Sequence, residues 1–478
     1  MSAITNALSG ALAAQAAINA TSQNTANMKT RGYTRQGALL TALGPAMGTT
    51  NGPGLGVKVS SLLRFSDEYK NQQLWRANAD LGRHTQMQPY LSQLEQIMGD
   101  DKTSISNGID QFFQSLNAAG VDPSSTPLRG QVISAAGAMA QAFNSIYNVT
   151  KNQMASVEQQ RESMMPQVNT LIANIAGLND RIAQAGAVGT NTSTLVDERN
   201  LAIDDLAKMV SIDVLQQPDG SSSVSLKSGQ PLVAGKLASS LSLTPTTPQQ
   251  LRLDFGGSVF AVDDANIGGS LGGLFEFEKN TLVPLQKSIT DLATEIATRF
   301  NAIQKLGTTA HPPPPPATNP GPQQGDDLFV INAAGAGGLM GLKTGFTTLD
   351  LAFGKGNMNP APPALPTPAA PGASDNLQDM IALKSKSVTV GTLTNVQIGD
   401  ADTQLVGQLG IESKKNQSLL KNSTTIRGQA EGDWASTSGV NEDEEAINLI
   451  EFQKMYQANM KAIAVANSLF DSTLAMFN

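Results

Sequence analysis

A mainly α-helical chain with a smaller all-β domain is what this sequence predicts, and three observations carry the prediction. Apolar residues recur at three- and four-residue spacing over most of the 478 residues. That period gives way to strand-like alternation only around residues 211–265, where turn signals also recur. Aromatic residues make up 5% of the chain, so Ala, Leu, Ile and Val must supply the buried area, which favours packed helices over deep pockets. A chain of this length divides into roughly two to four domains.

Residues 1–28 read as a helix. Ile4, Leu8, Ala11, Gln15, Ile18 and Ser22 form a heptad seam, widened by Ala7, Ala14 and Ala17. No charged side chain marks a solvent face, so this helix asks for partners on several sides. Gly32 ends it, and 44–56, with Pro45 and Pro53, read as a loop. Three helical stretches follow over 66–150. Leu91, Leu94 and Met98 mark the first, Ile105, Ile109, Phe112 and Leu116 the second, and Val132, Ala136, Met139, Phe143 and Ile146 the third. A loop at 122–127 separates the last two. The longest clean helix spans 150–186, lined by Val168, Leu171, Ile172, Ile175, Leu178 and Ile182, with Gln, Glu and Asn covering its other faces. A shorter helix occupies 195–209.

The period then changes. Ile212 and Val214, Val224 and Leu226, Leu251, Leu253 and Phe255, and Val259 and Ala261 alternate with polar residues between turns at 218–220, 228–229 and 256–257, a meander of short strands. Helix returns at 275–306 on Leu282, Leu285, Ile289, Leu292, Ile296, Phe300 and Ile303. Thirteen of the 24 prolines lie between Pro312 and Pro371. The run 312–316 is expected as polyproline II, and 307–373 reads as an exposed insert with at most a small β-element. Residues 399–432 are helical, with Leu405, Leu409 and Leu419 or Leu420 inward. Asn441 can cap the last helix, Glu444 completes a capping-box pattern, and the acids at 442–445 read as a solvated helix start favoured by the dipole. Behind them Leu449, Phe452, Tyr456, Asn459, Ile463, Ala466, Phe470 and Thr473 form a second heptad seam, closing with Phe477.

Four parts are therefore expected: a terminal coiled-coil assembly domain from 1–65 with 435–478, a helical bundle from 66–210 with 275–306 and 385–434, a β-domain at 211–274, and a Pro/Gly-rich insert at 307–384. The two terminal helices can pair, and pairing leaves an Ala-rich face that copies or neighbours of similar build would bury.

Composition excludes much chemistry. With no cysteine there is no disulfide framework, cysteine zinc site, iron–sulfur cluster or thiol nucleophile. The two histidines, His84 and His311, read as solvated. A net charge of −8 without a basic stripe argues against nucleic-acid binding. No run approaches the ~18 apolar residues of a membrane span, and residues 1–28 lack the basic region of a signal peptide, so export would need another route. The glycines around Ser270-Leu271 lack a P-loop ending and read as a tight strand-to-helix connection. The acid pairs Asp100-Asp101, Asp263-Asp264 and Asp326-Asp327 suit neither acid/base work nor an EF-hand. No catalytic, cofactor or metal site is expected.

The ends carry a further pattern: Ile4, Ala7-Leu8-Ser9-Gly10, Ala14-Gln15-Ala16-Ala17-Ile18-Asn19, Ser22-Gln23-Asn24, Ala26-Asn27 and Gly32-Tyr33-Thr34-Arg35-Gln36, with Ser438-Gly439-Val440-Asn441, Asp443-Glu444-Glu445, Asn448-Leu449, Gln453, Tyr456-Gln457-Ala458-Asn459, Ala466 and Leu469-Phe470-Asp471. This resembles the bacterial flagellar axial proteins, and most of all the hook-associated protein 1 family of the hook–filament junction. Gly269-Ser270-Leu271-Gly272-Gly273-Leu274 and Leu195-Val196-Asp197-Glu198-Arg199-Asn200 are similar to its core, while Arg31 stands where the family usually has Pro.

The resemblance implies a structural protein without enzymatic activity, exported by the flagellar type III route to the extracellular flagellum. Implied partners are hook protein, a second junction protein, copies of itself in a ring or helical turn, and a cytoplasmic export chaperone. The expected assembly interface is Ile4, Leu8, Ala11, Ala14, Gln15, Ile18, Asn24, Asn27, Gly32 and Tyr33 on the N-terminal side. The expected assembly and chaperone interface is Leu449, Phe452, Tyr456, Asn459, Ile463, Ala466, Leu469 and Phe470 on the C-terminal side. Rival readings are a hook or distal-rod protein, which would be mainly β between its ends, a flagellin, which the Gly32-Tyr33 motif does not suit, and an axial protein fused to a peptidoglycan hydrolase.

Overall fold

The structure is a computed structural model and describes residues 2–44, 54–101, 104–246, 248–311, 323–332, 338–357 and 367–476. In chain order, α1 (Ser2–Asn27) leads to a hairpin of β1 (Gln36–Leu43) and β2 (Gly56–Arg64). Then come α2 (Glu68–Met98), α3 (Ile105–Ala119), α4 (Thr126–Ala187) and α5 (Ser193–Met209). Two small sheets follow, β3 (Ile212–Gln216), β4 (Ser222–Leu226), β5 (Pro231–Ala234) and β6 (Leu237–Ala238), then β7 (Ser240–Leu243), β8 (Leu251–Phe255) and β9 (Ser258–Ala261). After them come α6 (Gly269–Phe277), α7 (Val283–Gln304), β10 (Phe329–Ile331), β11 (Met340–Leu342), α8 (Asp375–Ala382), β12 (Ser387–Val390), β13 (Leu393–Gln397), α9 (Ala401–Ser438) and α10 (Glu442–Ala475). Every strand pair is antiparallel between neighbours in sequence.

The chain forms two compact units. One holds Met1–Arg83, Ser163–Gly272 and Leu420–Asn478, and the other His84–Glu162 and Gly273–Leu419. α2, α4 and α9 each contribute residues to both.

In the first unit α1 packs against α10 and against the hairpin, whose two strands flank the stretch 44–56 expected as a loop; residues 45–53 of that stretch lie outside the described residues. The alternating stretch forms the expected meander, with β5, β6 and β7 added and the strands split into two sheets. Gly268 and Gly269 take left-handed backbone (φ +57° and +59°) and swing the chain from the second sheet into α6. A Cβ on Gly269 would lie 2.4 Å from the Met209 carbonyl carbon, so this close approach requires glycine.

In the second unit the apolar positions of α2, α3 and the first half of α4 are buried as their spacing predicts. The third and fourth predicted helices are one helix, α4. Its first residues, Thr126 and Pro127, lie in the stretch expected to be loop, because Pro is tolerated in the first helical turn. The predicted 275–306 helix begins earlier, at Gly269, and contains a π-helical segment at Glu278–Leu282. There the buried Glu278 carboxylate accepts from Arg161 Nη1, and the Arg161 guanidinium lies 4.3 Å from the Phe275 ring centroid. His84 is buried, its Nδ1 2.8 Å from Asn416 Oδ1, and His311 Nε2 lies 2.6 Å from Asp350 Oδ1. His84 is therefore not the solvated residue expected, whereas His311 stays 31% exposed while held by Asp350.

The Pro/Gly-rich region also differs from expectation. The run 312–316 lies outside the described residues. The described parts are no exposed insert: Leu328, Phe329, Leu339, Met340, Leu351 and Phe353 are buried. Phe329 sits 5.6 Å from Phe112 and 5.4 Å from Phe300, ring centroid to ring centroid. Helix side chains hold its irregular backbone. Asn301 Nδ2 donates to Phe329 O (2.8 Å), while Asn301 Oδ1 accepts from Phe329 N (3.1 Å) and Leu328 N (3.0 Å). Asn144 binds both backbone groups of Met340 in the same way, at 2.8 and 2.9 Å. Arg129 donates to the carbonyls of Pro123, Thr348 and Leu351 and stacks on Phe353.

The pattern recurs in the first unit. Asn169 grips both backbone groups of Leu241 (2.9 and 2.8 Å), and Asn179 grips those of Ser222 (2.7 and 2.9 Å). These asparagines were expected among the solvated faces of α4. A carboxamide matches the donor and acceptor of a strand neighbour, so a helix can dock a strand's edge without leaving its polar groups bare. Asn301→Ala should therefore destabilise the protein by at least about 1–3 kcal/mol, the cost of orphaning one of the three backbone groups it holds. Denaturant unfolding checks the magnitude, and amide exchange should quicken first at 328–331.

Candidate functional site

The terminal helices and the segment that roots them form the candidate site, all within the first unit. α1 and α10 run antiparallel, since Gly10 faces Asn459 while Arg35, beyond the end of α1, reaches Glu444 at the start of α10. A Cβ on Gly10 would lie 2.6 Å from Asn459 Oδ1, and Asn459 is itself held by a 2.9 Å bond from Nδ2 to Met455 O. The helices thus touch through missing bulk.

This decides which residues of α1 face inward. The buried stripe is Ala7, Gly10, Ala11, Ala14, Ala17, Thr21 and Asn24, with Ala13 and Ala20 beside it. Of the expected seam, Ala11 and Ala14 are buried, Ile4 and Ile18 are half-buried, and Gln15 and Ser22 are exposed. Leu8 is 50% exposed and Leu12 58%. The predicted phase is therefore corrected by the close approach, which admits small side chains and turns the leucines out.

On α10 the predicted seam faces α1: Leu449, Phe452, Tyr456, Asn459, Ile463 and Ala466 are all half-buried. Leu469 and Phe470 are exposed, at 65% and 62%. At equal rise per residue α1 runs out near residue 467 of α10, so the last turns of α10 extend past it. Phe477 lies outside the described residues.

At the other end the two chain segments are tied to each other and to α5. Asn27 receives a 2.8 Å bond from Thr30 N as α1 ends, and Gly32 turns the chain at φ +80° against Leu201. Buried Asn24 grips both backbone groups of Gln36, at 2.8 and 3.0 Å, and accepts 2.8 Å from the Tyr33 hydroxyl. Asp197 on α5 accepts from Thr34 N (3.0 Å) and from Arg64 Nε (2.7 Å), and Arg64 Nη2 donates to Thr34 Oγ1 (2.9 Å). Arg31 bridges Asp204 and Asp205.

Arg35 joins the ends directly. Its N–H donates to Ser438 O at 2.9 Å, its guanidinium pairs with Glu444 and Glu445, and it stacks 4.9 Å from the Phe65 ring centroid. Asn441 caps α10 as predicted, through Asp443 N and Glu444 N. The rest of that expectation changes. Glu444 reaches Arg35, and Glu445 is 2% exposed, so the acidic run is not simply a solvated helix start. Sequence reasoning left Arg35, Arg64, Asp197 and Glu445 out of the site. Arg35, Asp197 and Glu445 lie inside the quoted motifs, which was the available signal.

Burial, reinforced by the charges of Asp197 and Glu445, pushes the Tyr33 phenol up from 10.0 to about 12. Burial and the neighbouring Arg64 bring the Arg199 guanidinium down to about 10. Among the described residues no three metal-ligating side chains cluster, and no helix is long and apolar enough to cross a membrane.

Known proteins match this chain along its length. Residues 91–329, half of the chain, match the helical domain of flagellar hook-associated protein FlgK, and 435–476 match the C-terminal region of the flagellar basal body rod FlgEFG proteins. Flagellar hook-associated protein 1 of Escherichia coli K12 is 25% identical over 99% of both chains, and that of Salmonella typhimurium LT2 is 27% identical over 99% of both. The relative of the same name from Bacillus subtilis 168 is 25% identical over 97% of this chain and 95% of its own. The solved structure of the flagellar hook junction protein FlgK from Burkholderia pseudomallei shares the fold, with a TM-score of 0.64 at 16% identity over 76% of this chain and 99% of that one.

Two measurements test the geometry of the site. The neutral Tyr33 phenol donates to Asn24, and its pKa is higher folded than unfolded. Its contribution should be complete below pH 10 and fade as pH rises towards 12. Ultraviolet titration should show one of the five tyrosines ionising late, and Tyr33→Phe should remove that phase. At the helix crossing, Gly10→Ala should gain about 1 kcal/mol in helix propensity only once Asn459→Ala clears the space, as thermal unfolding of the single and double variants would show.

Proposed function

Because the chain belongs to the flagellar hook-associated protein FlgK family, we propose that it is a structural junction component of the bacterial flagellum. In this role it caps the hook and joins it to the filament through a second junction protein, with copies of itself forming a ring or helical turn. It works outside the cell, reaches its place by the flagellar type III route, and performs no catalysis. The match of 435–476 to rod proteins fits a common axial end, while the helical-domain match separates this chain from the hook and rod alternatives.

The observation that carries the proposal is the apolar face left open once the terminal helices have paired. Leu8 and Leu12 on α1, and Ile447, Ile450, Val465, Leu469 and Phe470 on α10, all point to solvent. So much exposed aliphatic surface on one helix pair marks an interaction site. Neighbouring axial subunits would cover the shaft of the pair. A cytoplasmic chaperone would cover α10 before export, along the seam from Leu449 to Phe470 that α1 otherwise half covers. Ala11 and Ala14 then act indirectly, by holding α1 against α10, whereas Leu8 and Gln15 are available to a neighbour.

Deletion of the chain should leave cells with hooks but no filaments and with filament protein in the medium, visible by electron microscopy. Normal filaments would end the proposal. Leu12→Arg should leave thermal unfolding within about 0.5 kcal/mol of the parent yet fail to restore filaments. Ala14→Arg should instead lose the helix pairing itself, seen as lost protection of α1 in amide exchange.

A further inference from the structure

A guanidinium taken out of water needs a counter-charge, and Arg199 on α5 is 1% exposed. Its hydrogen bonds go to neutral acceptors. Nη1 donates to Gly220 O (2.7 Å) and Asn179 Oδ1 (3.4 Å), and Nη2 to Asn200 Oδ1 (3.5 Å). Its Nε is buried without a hydrogen-bond partner. The Asp197 carboxylate, two residues earlier, is taken up by Arg64 Nε and Thr34 N. The carboxylate that acts on Arg199 is instead Glu68, at the start of α2. Burial pushes the Glu68 carboxyl above its ordinary range, against Asn71, Arg199 and Arg64, which favour its charge. Glu68 in turn favours the Arg199 cation, against burial and Arg64.

Glu68 Oε2 accepts from Gln216 Nε2 at 2.6 Å, but Oε1 is buried without a hydrogen-bond partner. So is Asn71 Nδ2, one turn on along α2, on a side chain 4% exposed. One acceptor and two donors are therefore unused around the same carboxylate. A water fits this set: it accepts from Arg199 Nε and Asn71 Nδ2 and donates to Glu68 Oε1, the about three bonds usual for a buried water. An anion would be repelled by Glu68, and a metal cation by Arg199 and Arg64. We propose that Glu68 is the counter-charge of Arg199 through a bridging water held by Glu68 Oε1, Arg199 Nε and Asn71 Nδ2. Both are positioning residues for the first sheet. Glu68 holds Gln216 at the end of β3, and Arg199 holds Gly220 in the turn before β4, so the bridged pair fixes that turn from two helices. Asp197 pairs with Arg64 and Glu68 with Arg199, and the cluster is neutral. The inference uses no part of the junction reading and stands or falls separately from it.

The test is amide exchange of β3 and β4 in the full chain, run as a double-variant cycle. Glu68→Gln keeps the shape of the side chain and removes its charge. It should quicken exchange of these amides at least about tenfold more in the parent background than in Arg199→Met, where Glu68 has lost the charge it balances. The difference needs the carboxylate, so it should shrink as pH falls through the raised Glu68 range, whereas a packing contact would not titrate. A crystal structure of the parent should show ordered solvent within hydrogen-bond distance of Glu68 Oε1 and Arg199 Nε. If Arg199→Met does not fold, Arg199→Lys, which keeps the charge without the Nε donor, should cut the difference at least about threefold. Equal effects of Glu68→Gln in both backgrounds would overturn the inference. So would a difference that does not change with pH, or a crystal structure with no solvent between Glu68 and Arg199.

Discussion

An asparagine in a helix, presenting its carboxamide to the edge of an extended segment, is the interaction on which most of this fold depends. Asn24, Asn144, Asn169, Asn179 and Asn301 each bind the N–H and the C=O of a single residue, respectively Gln36, Met340, Leu241, Ser222 and Phe329. The strands here are short and lie in small sheets, so sheet pairing alone leaves many backbone groups bare. Each carboxamide supplies the missing neighbour from a rigid helix. Asparagine is a poor helix former because its side chain competes for backbone groups. Here that tendency is directed at another segment's backbone rather than its own.

The same economy of bulk governs the terminal helices. α1 has no charged residue between Ser2 and Asn27, and its inner stripe is almost entirely Ala and Gly. Close approach replaces large apolar side chains as the source of contact, and it leaves the larger residues, Leu8 and Leu12, on the outside. A helix pair of this kind is complete as a pair and incomplete as a surface. Its root is more specific than its shaft: Arg35, Asp197, Arg64 and Glu445 set where the pair begins, using charges whose burial makes them directional.

Legibility in the sequence varied with side-chain size. The α10 seam could be read because Leu449, Phe452, Tyr456 and Ile463 are bulky and their spacing has one solution. The α1 seam could not, because alanine occurs on several faces and the two leucines pull the apparent phase the wrong way. The Pro/Gly-rich region suggested exposure by composition, yet sparse anchors such as Phe329 and Phe353 are buried. What holds them, Asn144, Asn301 and Arg129, lies far away in the sequence and reads locally as surface polarity on a helix. His84 failed for a similar reason, since its partner Asn416 is on another helix.

By itself the sequence determined the helices, the change of period that marks the sheets, and the motifs at both ends. These depend on interactions within a few residues, which spacing records directly. Only the tertiary structure decided which face of α1 turns inward, that one helix spans 126–187, that Arg35 meets Glu445, and that the described Pro/Gly-rich segments belong to a core. Those outcomes depend on how closely distant segments approach and on whether a buried polar group finds its complement there, and no local pattern encodes that distance.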